Sequence, residues 1–171
     1  MRIDGKHLFN ASVADVWGVL ADVPTLARCT PGCKALREVG PGQYELDLDL
    51  GVGAVKGQYS GKFAIRNQEP PNRSELEVSA KGIPGWMQGR WTLELTTRES
   101  GTELTYQGEA QVGGLVAGIG QRMLSGVAKM ILGQLFTAMA REVDVRRESV
   151  GAQTRRPLKE GAVGASIAEE R

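Results

Sequence analysis

Few side chains in this 171-residue chain could carry acid–base, metal or thiol chemistry. There is one histidine, His7, and two cysteines, Cys29 and Cys33, with three residues between them. Together they cannot fill the four ligand positions of a structural zinc site, and a disulfide is disfavoured in a reducing compartment. His7 has no paired carboxylate or serine that would complete a catalytic set. We therefore expect no catalytic residue, no metal and no covalent cofactor, and we interpret the cysteines as packed or turn residues.

Charge and composition exclude several classes of function. The 21 Lys and Arg nearly balance the 20 Asp and Glu, and aromatic residues make up 5% of the chain, so nucleic acid is not an expected partner. No stretch of about 18 apolar residues is free of charge, which predicts no transmembrane helix. The charged N-terminus leads directly into a strand pattern and does not resemble a secretory signal. We expect a cytoplasmic protein, with peripheral contact at the inner face of the membrane as an alternative.

The elements that position any site are visible in the hydrophobic pattern. Five segments between Tyr44 and Val112 alternate apolar and polar residues, and their apolar positions contain no Asp, Glu, Lys, Arg, His, Cys or Ser. This pattern predicts an antiparallel sheet with one apolar and one polar face. Residues 2–9 and a weaker segment at about 33–39 add two strands, which makes about seven.

Helical signals flank these strands. Ser12 is a predicted N-cap with Asp15 three residues later, and Asp22 is a predicted cap of a second short helix that has Pro24 in its first turn. Apolar residues at helical spacing predict one long helix over 114–142. Its four interior glycines favour close packing on a curved sheet, or space left for another molecule. The pattern places one domain at 1–143 and a flexible polar tail, basic over 146–160, at 144–171.

This order of elements predicts the α+β class and a helix-grip fold. A curved antiparallel sheet of about seven strands would wrap around the long C-terminal helix, with the two short helices after the first strand. We expect a cavity between sheet and helix, because the inward glycines 57, 61, 89 and 108 remove volume that a filled core would use. An ordinary filled core is the alternative.

The chain also resembles a known family. The resemblance covers about residues 1–142 and rests on a few short motifs. They are Val16-Trp17, Cys29-Thr30-Pro31-Gly32-Cys33, Gly57 to Phe63, Gly82 with Gly85 and Gly89, Val112 to Ala117, and Ile119-Gly120-Gln121-Arg122. These are similar to motifs of the CoxG family of carbon monoxide dehydrogenase subunits, in the START-like (SRPBCC) superfamily. The resemblance implies a non-catalytic adaptor that serves membrane recruitment or electron transfer of a molybdenum-containing carbon monoxide dehydrogenase-like oxidoreductase. It also implies a bound quinone or lipid.

Two groups of residues are the candidate sites. The predicted ligand-binding residues face the expected cavity and are Tyr44, Tyr59, Phe63, Trp91, Tyr106, Met123, Val127 and Met130. Aromatic rings and methionines suit a flat apolar ring or an isoprenoid chain, and a tyrosine hydroxyl could bond a quinone oxygen. The predicted portal or contact residues lie in loops and are Ile83, Trp86, Met87, Leu115, Val116 and Ile119. Trp86 covering the end of the sheet is the alternative there.

Two other functions stay open at this point. A small cavity enzyme of the cyclase or hydrolase type would need an inward acid or base, for which only His7 and the tyrosines are available. A pure protein-binding assembly factor would have a collapsed core and no ligand.

Overall fold

The computed structural model describes residues 1–154, in which seven strands and three helices form one α+β unit. The strands are β1 Arg2–Phe9, β2 Cys33–Gly40, β3 Gln43–Leu50, β4 Gly57–Glu69, β5 Arg73–Gly82, β6 Gly85–Arg98 and β7 Gly101–Gly113. The helices are α1 Val13–Leu20, α2 Val23–Cys29 and α3 Gln121–Thr154. Two 3₁₀ turns, Gly53–Val55 and Leu115–Ile119, precede β4 and α3.

All seven strands pair antiparallel in one open sheet with the order β1-β7-β6-β5-β4-β3-β2. The strands β2 to β7 form a meander, and β1 joins its far edge by pairing with β7. The register places Tyr44 opposite Phe63 and Gly89 opposite Ala110, so the predicted apolar positions share one face. The predicted helix-grip class, with two short helices after the first strand, is confirmed.

Both short helices begin where the capping residues predict. The Ser12 hydroxyl accepts a hydrogen bond from the Asp15 backbone N–H at 3.2 Å. The Asp22 carboxylate accepts one from the Thr25 backbone N–H at 3.4 Å, and Pro24 lies in the first turn. Each cap satisfies a backbone donor that the first turn of a helix leaves free.

The hydrophobic core lies at one side of the sheet. It joins β1, β6 and β7 to α1, to the end of α2 and to the C-terminal half of α3, and its most buried members include Phe9, Val16, Leu104 and Met139. In α3 only Phe136, Met139 and Val143 are buried. The helix therefore packs over the β1 side of the sheet.

The long helix differs from its predicted bounds at both ends. Residues 115–119 form a 3₁₀ turn, and Gly120, with φ of +94°, separates that turn from α3. At the other end α3 continues to Thr154, which corrects the predicted start of a flexible tail at residue 144. Side-chain bonds of Arg146 and Arg147 to α1, α2 and the end of β1 hold this extension, so it needs no apolar periodicity. The rest of the predicted tail, 155–171, lies outside the described residues.

The glycines of α3 do not mark close packing within the chain, which corrects one expectation from the sequence. A Cβ added at Gly118, Gly120, Gly126 or Gly133 would meet no atom within 4 Å. The inward strand glycines do not leave free volume either. Gly89 and Gly108 lie directly beneath the Trp91 indole, which occupies the place that their side chains would take.

Candidate functional site

A large part of the apolar sheet face has no cover within the described residues. We call the inward side chains of β3, β4 and β5 the open sheet face. All of its larger apolar members are half-buried, and they are Tyr44, Leu46, Leu48, Leu50, Tyr59, Phe63, Ile65, Leu76 and Val78. On β6 and β7, by contrast, Leu95, Leu104, Tyr106 and Ala110 are buried. The difference arises because α3 packs on α1, α2 and β1, at the opposite side of the sheet.

Two tyrosines and a phenylalanine mark the open sheet face. The rings of Tyr44 and Phe63 stack with centroids 4.8 Å apart and planes 17° apart. The Tyr59 hydroxyl donates a hydrogen bond of 2.6 Å to the Val55 carbonyl, in the 3₁₀ turn that precedes β4. Burial raises the pKa of both tyrosines, so both hydroxyls stay protonated at neutral pH. This part of the predicted ligand-binding set lies together on a flat aromatic surface.

Trp91 and Tyr106 lie elsewhere, in and beside the packed core. The Trp91 indole N–H donates to the Ile3 carbonyl at 3.2 Å, which holds the ring flat across β6 and β7. Tyr106 is 8% exposed, and its ring centroid lies 5.6 Å from that of Phe136. Their predicted place in a common ligand wall with Tyr44 is therefore corrected, because the β1 side of the face is already filled by α3.

The three predicted helix residues divide in the same way. Val127 is half-buried, whereas Met123 is 58% exposed and Met130 is 49% exposed. At 100° per residue, these methionines lie on the side of α3 that also carries the exposed Gly126 and Gly133. The expected inward orientation of Met123 and Met130 is wrong, because sequence periodicity could not tell which side of a broad apolar stripe faces the sheet.

The predicted portal residues form two linked loops at one end of the sheet. The Val116 N–H donates to the Pro84 carbonyl at 2.9 Å, and Val116 is buried. Ile83 is 95% exposed and Leu115 is 77% exposed at the tips of these loops. Met87 and Ile119 are half-buried.

Trp86 lies apart from the other portal residues. It belongs to the polar face of the sheet, and its indole covers Gly113 on the neighbouring strand. It therefore does not line the open sheet face, and the alternative that it covers the sheet end is the better description.

His7 lies among aromatic rings, with no acid–base partner in residues 1–154. Its ring is 4.7 Å from Phe9 and 5.2 Å from Phe136, and burial lowers its pKa. Burial raises the pKa of the Cys29 and Cys33 thiols, which makes them poor nucleophiles. In the same range no group of three His, Cys, Asp or Glu is placed to hold a metal ion. This arrangement offers no residue set for acid–base or metal chemistry.

Two surface recesses lie away from the open sheet face. One, of about 420 Å³, is lined by the start of α1 and the β6–β7 turn. The other, of about 460 Å³, lies on the polar face and is lined by side chains that include Lys62, Lys81 and Trp86. The open sheet face is a broad cleft, not an enclosed cavity of this kind.

Sequence reasoning missed the cluster that anchors α3. The Arg146 guanidinium donates to the Asp22 carboxylate at 2.6 Å, to the Thr25 hydroxyl at 2.9 Å and to the Gly18 carbonyl at 3.1 Å. The Arg146 bond and the Thr25 bonds keep the pKa of the Asp22 carboxyl below its usual range. No periodic signal could reveal this clamp, because its members lie more than a hundred residues apart and each has a separate local interpretation, as a cap or as part of a basic tail.

The motifs and the fold of this chain match a known protein family. A family model, CoxG of carbon monoxide dehydrogenase, matches residues 5–144. The chain belongs to the carbon monoxide dehydrogenase CoxG family. The match ends inside α3, so the family region includes the open sheet face and the exposed part of that helix. No curated protein matches the chain.

Solved structures of relatives support the assignment of fold. A conserved protein from Geobacillus kaustophilus is 36% identical with a TM-score of 0.82, and the match covers 84% of this chain and 95% of that one. A START superfamily protein from Mycobacterium smegmatis is 13% identical with a TM-score of 0.64, covering 84% of this chain and 97% of that one. The second likeness shows the START-like fold alone.

The exposed part of α3 is unusually apolar for its position in this CoxG family member. An 18-residue stretch of the helix has a mean hydropathy of 1.4, and 11% of that stretch is buried. By length and composition alone the helix could cross a membrane, a test that core helices of soluble proteins also pass. The expectation of no spanning segment, drawn from charge spacing, is therefore not decided by this helix.

Proposed function

We propose that this chain is a non-catalytic accessory protein that holds a quinone- or lipid-like molecule against the open sheet face. It would serve a molybdenum-containing carbon monoxide dehydrogenase-like oxidoreductase in membrane recruitment or electron transfer. The observation that carries the proposal is the half-exposed apolar surface of β3, β4 and β5. An apolar ring or chain laid on this surface would remove it from water, at roughly 25 cal/mol for each Å² buried.

The chemistry of this surface supports binding more than catalysis. The stacked pair of Tyr44 and Phe63 offers a flat aromatic platform, and the Tyr44 hydroxyl is a protonated donor for a quinone oxygen. The Tyr59 hydroxyl already bonds the Val55 carbonyl, which leaves its ring as the apolar part of the site. The family membership adds an expected context, since family members are named for a subunit of carbon monoxide dehydrogenase.

The proposal is tested by natively purified full-length protein and a matched pair of variants. Solvent extraction followed by mass spectrometry should recover a quinone or a lipid. Menaquinone added to the stripped protein should quench tryptophan fluorescence at saturating stoichiometry. Phe63→Ala removes half of the aromatic platform and should weaken menaquinone binding at least fivefold, whereas its neighbour Lys62→Ala, on the polar face, should not.

Clean protein that also fails to bind menaquinone would refute the ligand proposal. Equal binding by the two variants would place the ligand elsewhere, even if a ligand were found.

A further inference from the structure

The N-terminal half of α3 carries an exposed surface that the ligand proposal does not use. We call it the outer helix face, and its members, spaced three and four residues apart, are Met123, Gly126, Met130, Gly133 and Thr137. All five are exposed. This spacing keeps them on one side of a helix, as in the seam of a helix pair. The apolar stretch around them is only 11% buried, so this side of α3 has no partner within residues 1–154.

The glycines in this face have no structural role inside the chain. Gly126 and Gly133 adopt ordinary helical backbone, and no atom would contact a Cβ at either position. Glycine lowers the stability of a helix interior, and its usual compensation is the close approach of another backbone. Met123 and Met130 alternate with them, and methionine adapts its shape to a partner surface. The face therefore combines two shallow sites with two adaptable apolar side chains.

Charge around the outer helix face has a single sign. From residue 110 to residue 141 the sequence contains no Asp or Glu, while Arg122, Lys129 and Arg141 lie along the helix. None of these three cations forms an ion pair among the described residues. An apolar stripe bordered by such cations is complementary to an apolar stripe bordered by carboxylates.

We propose that the outer helix face docks a helix of a partner protein that carries small or apolar residues at the same spacing, flanked by Asp or Glu. A second copy of this chain is a poor occupant, because it would bring Arg122, Lys129 and Arg141 against the same cations. A bilayer is also a poor occupant, because helices that lie in the interface use Trp, Phe and Leu, and this face has two methionines as its only large apolar side chains.

This proposal rests on the proposed function only for the identity of the natural partner, the oxidoreductase. The docking chemistry itself is independent of any ligand on the open sheet face.

Photo-crosslinking of the full-length protein in its host cells tests the docking surface. A photoreactive amino acid replaces Met130 in one variant and Ala14, an exposed residue of α1, in the control. The position 130 probe should crosslink to a peptide with carboxylates at helical spacing, at least tenfold above the control. Crosslinks from position 130 to phospholipid, or to this chain itself, would overturn the proposal, as would a yield no higher than that of the control.

Substitutions within the face give a second test. Gly126→Leu with Gly133→Leu should reduce crosslinking from position 130 at least tenfold, and Lys129→Glu with Arg122→Glu should do the same. The matched controls are Gly18→Leu, at an open glycine of α1, and Lys62→Glu on the polar sheet face. Thermal melting confirms that each variant is folded. Folded face variants that crosslink like the controls would overturn the proposal.

The two proposals fail in different ways. An acidic helix from a protein other than a molybdenum oxidoreductase would support the docking surface and refute the partner in the proposed function. Loss of menaquinone binding in Phe63→Ala, with crosslinking unchanged, would support both proposals as separate sites.

Discussion

Replacing Gly126 and Gly133 with alanine should stabilise this protein. Both lie within α3, both have helical backbone, and a Cβ at either position would meet nothing within 4 Å. Each substitution should therefore gain the full difference in helix propensity, about 1 kcal/mol. The sites are seven residues apart, about 10 Å along the helix, so the gains should add to about 2 kcal/mol. For a chain of this size that corresponds to a rise in Tm of about 4–8 °C.

Urea unfolding followed by circular dichroism measures this effect, with the midpoint rising and the slope unchanged. Gly18→Ala, at an open position of α1, should also stabilise the fold. Gly108→Ala should do the opposite, since its Cβ would overlap the Arg90 carbonyl and the Trp91 ring. If the double variant melts at or below the wild-type temperature, the exposed half of α3 is packed against something, and the reasoning from open space is refuted.

Three further predictions concern the core, the clamp and pH. Phe136→Ala, at a buried position that joins α3 to His7 and Tyr106, should cost about 3–5 kcal/mol in urea unfolding, and a loss below about 1 kcal/mol would contradict the described core. Arg146→Ala removes bonds to Asp22, Thr25 and Gly18 at a site about one-third exposed, so it should cost about 1–2 kcal/mol, whereas Arg141→Ala on the same helix should change stability little. Burial lowers the pKa of His7 below 6.5, so the unfolded chain gains the proton first as pH falls. Stability should then fall as pH decreases from about 6.5 toward the folded pKa, and His7→Gln should flatten this part of the pH profile of the urea midpoint.

Much of the fold could be predicted because its signals are local. The two caps at Ser12 and Asp22, the strand alternation and the turns between strands each depend on residues a few positions apart. The arrangement of α3 could not be predicted in the same way. Its apolar stripe is broad, so periodicity leaves open which side faces the sheet, and the inward positions predicted for Met123 and Met130 are wrong for that reason.

The candidate site was predicted in part for a related reason. Tyr44, Tyr59 and Phe63 share the open sheet face, as the alternation predicts. Trp91 and Tyr106 satisfy the same alternation, but they lie on the side of the sheet that α3 covers. Alternation reports which face a side chain is on, and it does not report how far along the sheet the cover extends.

Residue type and short-range spacing were sufficient to establish the α+β class, one uncharged sheet face and the scarcity of groups for chemistry. Three features required the three-dimensional arrangement: the helix covers the β1 side alone, the helix glycines face open space, and Arg146 anchors the far end of α3. These features depend on contacts between residues more than a hundred positions apart, such as Arg146 with Asp22, which no local pattern encodes. The uncharged face is therefore partly core and partly an open surface, and the second part is where a ligand is proposed to bind.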